Sequence, residues 1–398
     1  MIKMQSHKMS LDLQYKIYDK YMNPIRTVQL PREVEVPEDY IDILVKETSG
    51  DVVRCEQVPF KSFTKNFISI TDNLFHYGTS VPVTESNGTK RSITFANYGY
   101  NANGGTANWG IMVGTGSAAM DATDINLGYC LNGTGTNQLI YSEHSISTIF
   151  SSGSLRGFKF SRSAINLSTA SINVTEAGIL CQHIAYYYLI TRDRFQKDGA
   201  EINVTIDPFQ SIDISYNFYI DVNQGFVDNW LIMMAADLIA STAAQVVPLC
   251  GFVQAADYVG SDQAYNFTIY FGEGVCPTGI CVGSGDTLPV SASNYRLENL
   301  IVHGSSSGQL MYGNTSHVLS SMSSVSQSMT STFVRRFTNN SGDTVSIKEA
   351  GIVAAGNSTT SPSVYNLMIA RKLTGTINLM SEETLDLIFL LSVSSSIA

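Results

Sequence analysis

The chain contains an internal duplication, and this feature limits the possible folds more than any other. Residues 110–116 read Gly-Ile-Met-Val-Gly-Thr-Gly, and residues 279–285 repeat them as Gly-Ile-Cys-Val-Gly-Ser-Gly. A Gln-Leu-x-Tyr motif and a Glu-Ala-Gly-Ile motif follow in the same order in both copies, at nearly constant offsets. Because both the residues and their spacing recur, the sequence predicts two copies of one structural unit.

The length of 398 residues also favours two cores over one. The motifs place a first unit in residues 62–220 and a second unit in residues 221–398. Residues 1–61 precede both, and we expect them either to anchor the chain or to complete the first unit. Alternating apolar residues in 10–18 and 41–45 predict strands that could reach a neighbouring subunit by strand addition.

Each unit contains a series of short apolar-alternating segments separated by Gly, Ser and Asn clusters, without regular alternation of strands and helices. This pattern predicts a mainly β fold with two related antiparallel β-sandwich or jelly-roll-like domains. One short amphipathic helix is predicted near the start of each unit. Phe63 and Phe67 lie on the apolar face of the first helix, and Phe226 and Trp230 lie on that of the second.

Composition argues against several classes of function. Charged residues make up only 15% of the chain and the net charge is −10, which removes the attraction to phosphates that dominates nucleic-acid affinity. The longest apolar runs are too short to cross a bilayer, and residues 1–15 contain no apolar signal segment. We expect a soluble protein that is made in a cytoplasm. The six cysteines lack metal-ligand spacing, which favours buried free thiols and predicts no metal or other cofactor.

The repeated motifs favour structural roles. The Gly-Ile-x-Val-Gly-x-Gly motif lacks the Lys-Ser/Thr of a phosphate loop, so we interpret it as a strand that enters a tight bend. Arg162 and Arg335 each stand fourteen residues before Glu176 and Glu349, with a turn midway between them. A hairpin closed by that turn would bring each Arg opposite its Glu. The sequence therefore predicts the structural ion pairs Arg162–Glu176 and Arg335–Glu349.

No catalytic motif recurs in both units. Among the acids of the first unit, only Glu176 has an acidic counterpart in a repeated motif, so a convergent acid pair for glycoside cleavage is weakly supported. The histidines and serines form none of the common hydrolase motifs. We predict that the protein is not an enzyme and has no catalytic residues.

One loop offers candidate residues for an interface or a ligand. Tyr98, Tyr100 and Trp109 flank an Asn/Gly-rich stretch, where their rings could stack on a sugar or on a partner protein. The plainer interpretation is an ordered loop that packs on its neighbour.

The order of motifs along both units forms a recognisable pattern. Its parts are S-F-x-x-N-F from residue 62, G-I-x-V-G-x-G, Q-L-x-Y, V-x-E-A-G-I, L-I-x-R-D ending at Asp193, and F-V-R-R-F-T-N-N-S-G from Phe333. In this order they resemble a widespread group of structural proteins of tailed bacteriophages. The resemblance implies a β-sandwich and a place in the virion, and it supplies no catalytic residues. The second unit departs from the pattern by losing the acid of L-I-x-R-D, so we expect it to make a different contact.

These observations predict an oligomeric structural component of a tailed-phage virion, on the head or tail, synthesised in the host bacterial cytoplasm. Its partners would be other virion proteins and further copies of this chain, because duplicated modules can occupy pseudo-equivalent positions in a symmetric assembly. We expect no nucleic acid partner and no membrane insertion. Two alternatives stay open: a receptor-binding or carbohydrate-adhesion module that contacts a host-surface glycan, and a tail-associated polysaccharide depolymerase.

Overall fold

The computed structural model is built almost entirely of β-strands. The described residues are 8–29, 40–59, 63–67, 69–70, 80–93, 98–99, 102–105, 108–121, 123–147, 150–152, 155–183, 185–197, 199–221, 225–230, 245–246, 254–255, 273–274, 276–291, 293–319, 328–358 and 361–394. Residues 65–67, 69–70 and 228–230 are helical. The strands, in chain order, are β1 (Lys8–Tyr18), β2 (Pro24–Gln29), β3 (Tyr40–Lys46), β4 (Val52–Pro59), β5 (Val81–Thr84), β6 (Lys90–Ile93), β7 (Tyr98–Gly99), β8 (Gly110–Gly114), β9 (Ile140–Ile146), β10 (Phe150–Ser152), β11 (Leu155–Ile165), β12 (Ile172–Val174), β13 (Glu176–His183), β14 (Tyr186–Arg194), β15 (Gln196–Lys197), β16 (Ala200–Glu201), β17 (Val204–Ile206), β18 (Ser211–Asp221), β19 (Gln245–Val246), β20 (Gln254–Ala255), β21 (Gly279–Gly283), β22 (Met311–Leu319), β23 (Ser328–Thr338), β24 (Val345–Ser358), β25 (Ser361–Leu379) and β26 (Thr384–Ser394).

The first unit is a sandwich of two antiparallel sheets, as predicted. One sheet has the strand order β10-β11-β18-β3-β4, and β9 also pairs with β11. The other has the order β14-β13-β7, and β8 also pairs with β13. The inner faces of the two sheets are in contact, since the Val113 N–H of β8 donates a hydrogen bond to the Tyr141 hydroxyl of β9 at 3.0 Å. The apolar residues of β18 alternate along the strand and are buried on one face, because successive residues of a strand point to opposite faces; they are Ile212, Ile214, Tyr216 and Phe218.

The second unit repeats this plan. The sheet β2-β1-β26-β23-β22 corresponds strand by strand to β4-β3-β18-β11-β9, and the sheet β21-β24-β25 corresponds to β8-β13-β14. The register agrees as well, because Arg162 lies opposite Ile214 in the first unit and Arg335 lies opposite Leu387 in the second. The duplication seen in the sequence is therefore also a duplication of strand order.

The two N-terminal hairpins belong to different units, which corrects the predicted division at residue 61. β3 pairs with β18, so residues 40–59 complete the first unit. β1 pairs with β26 along its whole length, so residues 8–29 complete the second unit. β1 lies inside a five-stranded sheet, where both of its edges are paired, and the Leu13 side chain on one face of that sheet is fully buried. The strand expected to reach a neighbour is already paired within its own chain.

A buried asparagine stands where the chain passes from one sheet to the other in each unit. Asn166 follows β11, and its amide donates a hydrogen bond to the Ile206 carbonyl at 3.0 Å. Asn339 follows β23, and its amide donates to the Leu379 carbonyl at 2.7 Å.

The strand that carries Arg162 does not pair with the strand that carries Glu176. β11 pairs with β9, β10 and β18, whereas β13 lies in the opposite sheet. The hairpin predicted between the arginine strand and the glutamate strand is therefore wrong.

Helical residues stand where each unit is predicted to have its helix, at 65–67 and 69–70 in the first unit and at 228–230 in the second, and the rest of both predicted helices lies outside the described residues. Phe63 and Phe67 stack with ring centroids 3.9 Å apart, and Phe226 and Trp230 stack at 5.5 Å. All four rings are buried. Phe63 forms a backbone bridge with β14, and Phe226 forms the equivalent bridge with β25. Each helical segment therefore begins beside the equivalent strand of its own unit, β14 in the first and β25 in the second.

Candidate functional site

A fully buried carboxylate lies at the centre of the first unit. Glu176, at the start of β13, accepts hydrogen bonds from Arg192 Nε at 2.7 Å, from the Gly116 N–H at 2.8 Å and from the Gly128 N–H at 2.7 Å. Arg192 also pairs with Asp124 at 2.9 Å. Burial opposes the charge on Arg192, but the hydrogen bonds and charges of the two carboxylates outweigh burial and raise its pKa. Several donors thus replace the water that this carboxylate loses on folding.

The second unit contains an equivalent centre. Glu349 is also fully buried, and it accepts hydrogen bonds from Arg371 Nε at 2.7 Å and from the Asn299 N–H at 3.1 Å. Arg371 donates to Asn294 Oδ1 at 3.0 Å, in the place where Arg192 meets a carboxylate. The two centres therefore share their geometry, while an amide replaces the second acid.

These pairs differ from the predicted ones. Arg192 and Arg371 are the partners of the buried glutamates, so the predicted pairs with Arg162 and Arg335 are wrong. The physical reason is that Arg162 and Arg335 lie in the larger sheet of each unit, whereas the glutamates lie in the smaller one. The true partners stand on β14 and β25, which pair directly with the glutamate strands.

The separation between each buried glutamate and its arginine differs between the two units. Arg192 follows its glutamate by 16 residues, and Arg371 follows its glutamate by 22. A search for constant spacing therefore passes over them. A signal was nevertheless present, because the arginine of Leu-Ile-Thr-Arg-Asp recurs in Leu-Met-Ile-Ala-Arg-Lys at residues 367–372.

Arg162 and Arg335 form a second repeated arrangement, which connects the two sheets of each unit. Arg162 Nη1 donates to the Ile111 carbonyl of β8 at 3.1 Å, and Arg335 Nη1 donates to the Ile280 carbonyl of β21 at 3.0 Å. Their guanidinium groups lie 4.6 and 4.7 Å from the ring centroids of the Gln-Leu-x-Tyr tyrosines. Burial lowers the pKa of Arg162 to about 10 and also lowers the pKa of Arg335.

The Gly-Ile-x-Val-Gly-x-Gly motif provides the space for the buried glutamates. It forms β8 and β21, which confirms the predicted strand. A Cβ atom on Gly114 would lie 2.7 Å from the Glu176 carboxylate and 2.6 Å from the Tyr129 carbonyl oxygen. A Cβ atom on Gly283 would lie 2.7 Å from the Asn299 carbonyl oxygen. Glycine is therefore required here for close packing against the carboxylate.

Two of the three aromatic residues proposed as interface or ligand candidates, Tyr98 and Trp109, lie in the described part of the chain. Trp109 is half-buried and packs against the hydrophobic core, and its carbonyl accepts a hydrogen bond from Arg162 at 2.9 Å. Tyr98 lies in β7, opposite His183 of β13. Tyr100 lies outside the described residues. Trp109 thus contributes to the core of the first unit, as the plainer interpretation of this loop expected.

The acids considered for glycoside cleavage are distributed over different local networks. Asp213 pairs with Lys46 and accepts a hydrogen bond from Ser163, while Asp121 accepts hydrogen bonds from Thr123. Within the described ranges, no group of three or more His, Cys, Asp or Glu residues could hold a metal ion. In the same ranges, no helix is both long enough and apolar enough to cross a membrane.

The cysteines occupy three kinds of environment. Cys181 and Cys281 are buried free thiols, as predicted, but Cys55 is exposed on β4. Cys276 is half-buried, and a hydrogen bond from Cys281 lowers its pKa to about 7. Cys250 lies outside the described residues.

An open groove of about 410 Å³ lies on the first unit. Lys65 at the helix start, Lys90 of β6, and Thr123 and Asp124 beside the first buried centre contribute to its lining. Hydroxyl, ammonium and carboxylate groups in one concave surface can hydrogen-bond a hydroxyl-rich ligand.

No protein-family model, curated protein or solved structure matches this chain. The fold and its two buried centres define a protein built from duplicated antiparallel β-sandwiches.

Proposed function

We propose that this protein is a non-enzymatic structural component of a tailed-phage virion, where it forms a homo-oligomer and contacts other virion proteins. The observation that carries the proposal is the repeated pair of buried Glu–Arg centres. In both units these ionisable side chains lie in the interior, where each pair joins two neighbouring strands of the smaller sheet. Such an arrangement favours a rigid building block over a reactive cleft.

The motifs behind the phage resemblance coincide with this scaffold. Glu176 begins the Glu-Ala-Gly-Ile tetrad, Arg192 belongs to L-I-x-R-D, and Asn339 belongs to F-V-R-R-F-T-N-N-S-G. Each of these residues is buried and hydrogen-bonded in the sandwich. The resemblance therefore rests on residues that maintain the fold, which supports a structural role.

The composition supports assembly with other copies. Charged residues are few, so faces rich in Ser, Thr and Asn can be buried with little cost of desolvating ions.

Purified particles of the phage that encodes this chain provide the test. Antibodies raised against the recombinant protein should label intact particles in electron micrographs at one fixed position. Quantitative mass spectrometry should find the chain in multiple copies per particle. Abundance in infected cells together with absence from purified particles would contradict the proposal.

A second candidate function, carbohydrate adhesion, is favoured by the groove beside Lys90. Titration with oligosaccharides from host surface polysaccharide should then show binding that is lost in Lys90→Glu and retained in Lys197→Glu, a substitution on the exposed strand β15. The same mixtures test the depolymerase alternative. Release of reducing sugar that disappears in Asp124→Asn would favour cleavage over binding.

A further inference from the structure

Each unit ends its larger sheet in an exposed strand. β2 is the last strand of the second unit's sheet, and β4 is the last strand of the first unit's sheet. Five of the six residues of β2 are exposed, as are those at the start of β4. Strands at a sheet edge present backbone N–H and C=O groups that can pair with another strand. β2 and β4 are therefore equivalent edges of the two repeated units.

Apolar side chains accompany both edges. Ile25 on β2 is 54% exposed, and Val52 and Val53 on β4 are 51% and 52% exposed. Edge strands that avoid association usually carry Lys, Pro or a bulge. These two edges carry such features only near their ends: Pro24 and Pro59 are terminal residues, and the pairing with the inner strand shifts register at Ile25 in β2 and at Val53 in β4. Residues 26–29 and 54–58 pair regularly with the inner strand, so the backbone groups on their outer side are left for a further strand.

The two edge hairpins carry opposite net charges. Residues 8–29 contain four Lys or Arg and two Asp or Glu, a net charge of +2. Residues 40–59 contain two Lys or Arg and four Asp or Glu, a net charge of −2. Opposite charges favour contact between unlike hairpins, while like charges disfavour contact between two identical ones.

We infer that β2 of one copy pairs with β4 of a second copy, so that a sheet continues from the second unit of one chain into the first unit of the next. The inference rests on the homo-oligomer of the proposed function and identifies its contact. This pairing is an example of β-augmentation, in which main-chain hydrogen bonds join two sheet edges. The contact is heterologous, because different surfaces of the two copies meet. Repetition of this contact gives a closed ring when the rotation between successive copies adds up to a full turn, and an open filament when it does not.

Cross-linking with the native Cys55 tests this contact directly, because this thiol is exposed on β4. Arg26→Cys and Thr27→Cys place a second thiol on opposite faces of β2. Treatment of the full-length variants with a short bis-maleimide should give a ladder of dimers and higher oligomers on a denaturing gel. The ladder should disappear when Cys55→Ser is added. Val318→Cys is the matched control, because Val318 is 62% exposed on β22 at the opposite edge of the same sheet.

Each other outcome overturns the inference. Cross-linking of the wild-type chain through Cys55 alone would indicate β4–β4 pairing, and a ladder that persists after Cys55→Ser would indicate a contact elsewhere. Oligomers in light scattering without any Cys55-dependent ladder would refute this interface while leaving the structural function intact. Absence from virions would instead refute the structural function.

Surface substitutions provide an independent measurement. Ile25→Lys and Val53→Lys should each raise the dissociation constant of the oligomer at least tenfold, because each buries an ammonium group in the contact. The thermal unfolding midpoint should not change, since both side chains are exposed within the chain. Val318→Lys should leave the dissociation constant unchanged. Equal effects of all three substitutions would contradict pairing between β2 and β4.

Discussion

At the scale of single residues, a few charged side chains lie inside the protein as pairs of opposite charge. Glu176 and Glu349 are each matched to an arginine and to backbone N–H groups. A buried ion pair of this kind adds little when compared with well-packed apolar residues, but loss of one partner leaves a buried charge without compensation. The centres therefore specify which strands lie side by side in the core.

Glu349→Gln should destabilise the second unit by about 3–5 kcal/mol, because Arg371 would keep its charge and lose its carboxylate. Trp109 and Trp230 are the two tryptophans of the chain, so Trp230 fluorescence in a Trp109→Phe background reports on the second unit. Denaturant unfolding followed by this signal measures the change. Asp286→Asn is the control in the same unit, since Asp286 is 48% exposed beside Lys348 and its removal should cost less than about 1 kcal/mol. Similar effects of the two substitutions would argue against a buried centre.

His144 should make the stability of the first unit depend on pH. Its Nε2 accepts a hydrogen bond from the Ile111 N–H at 2.8 Å, and burial, followed by the charge of Arg162, lowers its pKa to about 3. The unfolded chain binds a proton near pH 6.5, whereas the folded chain does not. Stability is therefore full above about pH 6.5 and falls by up to about 1.4 kcal/mol per pH unit down to about pH 3.

Unfolding of the first unit is followed by Trp109 fluorescence in a Trp230→Phe background. His144→Gln should remove this part of the pH dependence, although other groups still titrate at the acidic end. An unchanged slope between pH 6.5 and 4 in the variant would show that His144 is not responsible.

At the scale of elements, the two sandwiches are interlaced along the chain. The hairpin β1–β2 precedes the first unit in sequence but completes the sheet of the second unit. The hairpin β3–β4 takes the equivalent position in the first unit. Each unit therefore depends on its own N-terminal hairpin, and the order of the hairpins differs from a simple tandem repeat.

Removal of residues 1–29 should destabilise the second unit and leave the first unit nearly unchanged. The deletion uncovers the edge of β26 and exposes side chains that Leu13, Tyr15 and Ile17 now cover. Trp230 fluorescence should show unfolding at a lower denaturant concentration, while Trp109 fluorescence should keep its midpoint. The opposite result, a loss confined to the Trp109 signal, would assign the hairpin to the first unit.

Local pattern predicted the strands better than their pairing. The strand at Gly110–Gly114 is predicted with its observed bounds, because two glycines enclose a short continuous apolar run. The alternation of apolar and polar residues in 10–18 predicts a strand but contains no information on its partner strand, which stands near the other end of the chain.

The buried centres were likewise predicted only in part. Glu176 and Glu349 were found through the repeat, whereas Arg192 and Arg371 were missed because the intervening hairpins differ in length.

At the scale of the whole molecule, the fold and the proposed assembly would use charge differently. The Glu–Arg centres lie in the interior, where salt screens them little, while the described charged side chains of the edge hairpins are all exposed or half-buried. Ionic strength should therefore distinguish folding from association.

Raising the concentration of NaCl from about 0.1 M to about 1 M should slow oligomer formation roughly tenfold, since the screening length falls from about 10 Å to about 3 Å. Stopped-flow light scattering of freshly diluted chains measures the rate. The Arg26→Glu variant should associate slowly at both salt concentrations, because its hairpin has lost its net positive charge. A rate that is independent of salt would exclude attraction between the hairpins as the steering force.

The pairing of β1 with β26 also sets an order of events during synthesis. The residues Lys20 and Glu382, which pair beside these strands, are 362 positions apart. A ribosome that adds about 5–20 residues per second needs roughly 20–70 s to add that many residues. The first unit receives its last strand, β18, well before then, so it can close while translation continues. The second sheet becomes complete only when translation has passed β26, and a prematurely terminated chain would leave β1 without its partner. The edge formed by β2 is therefore properly seated only on chains that have been translated through β26.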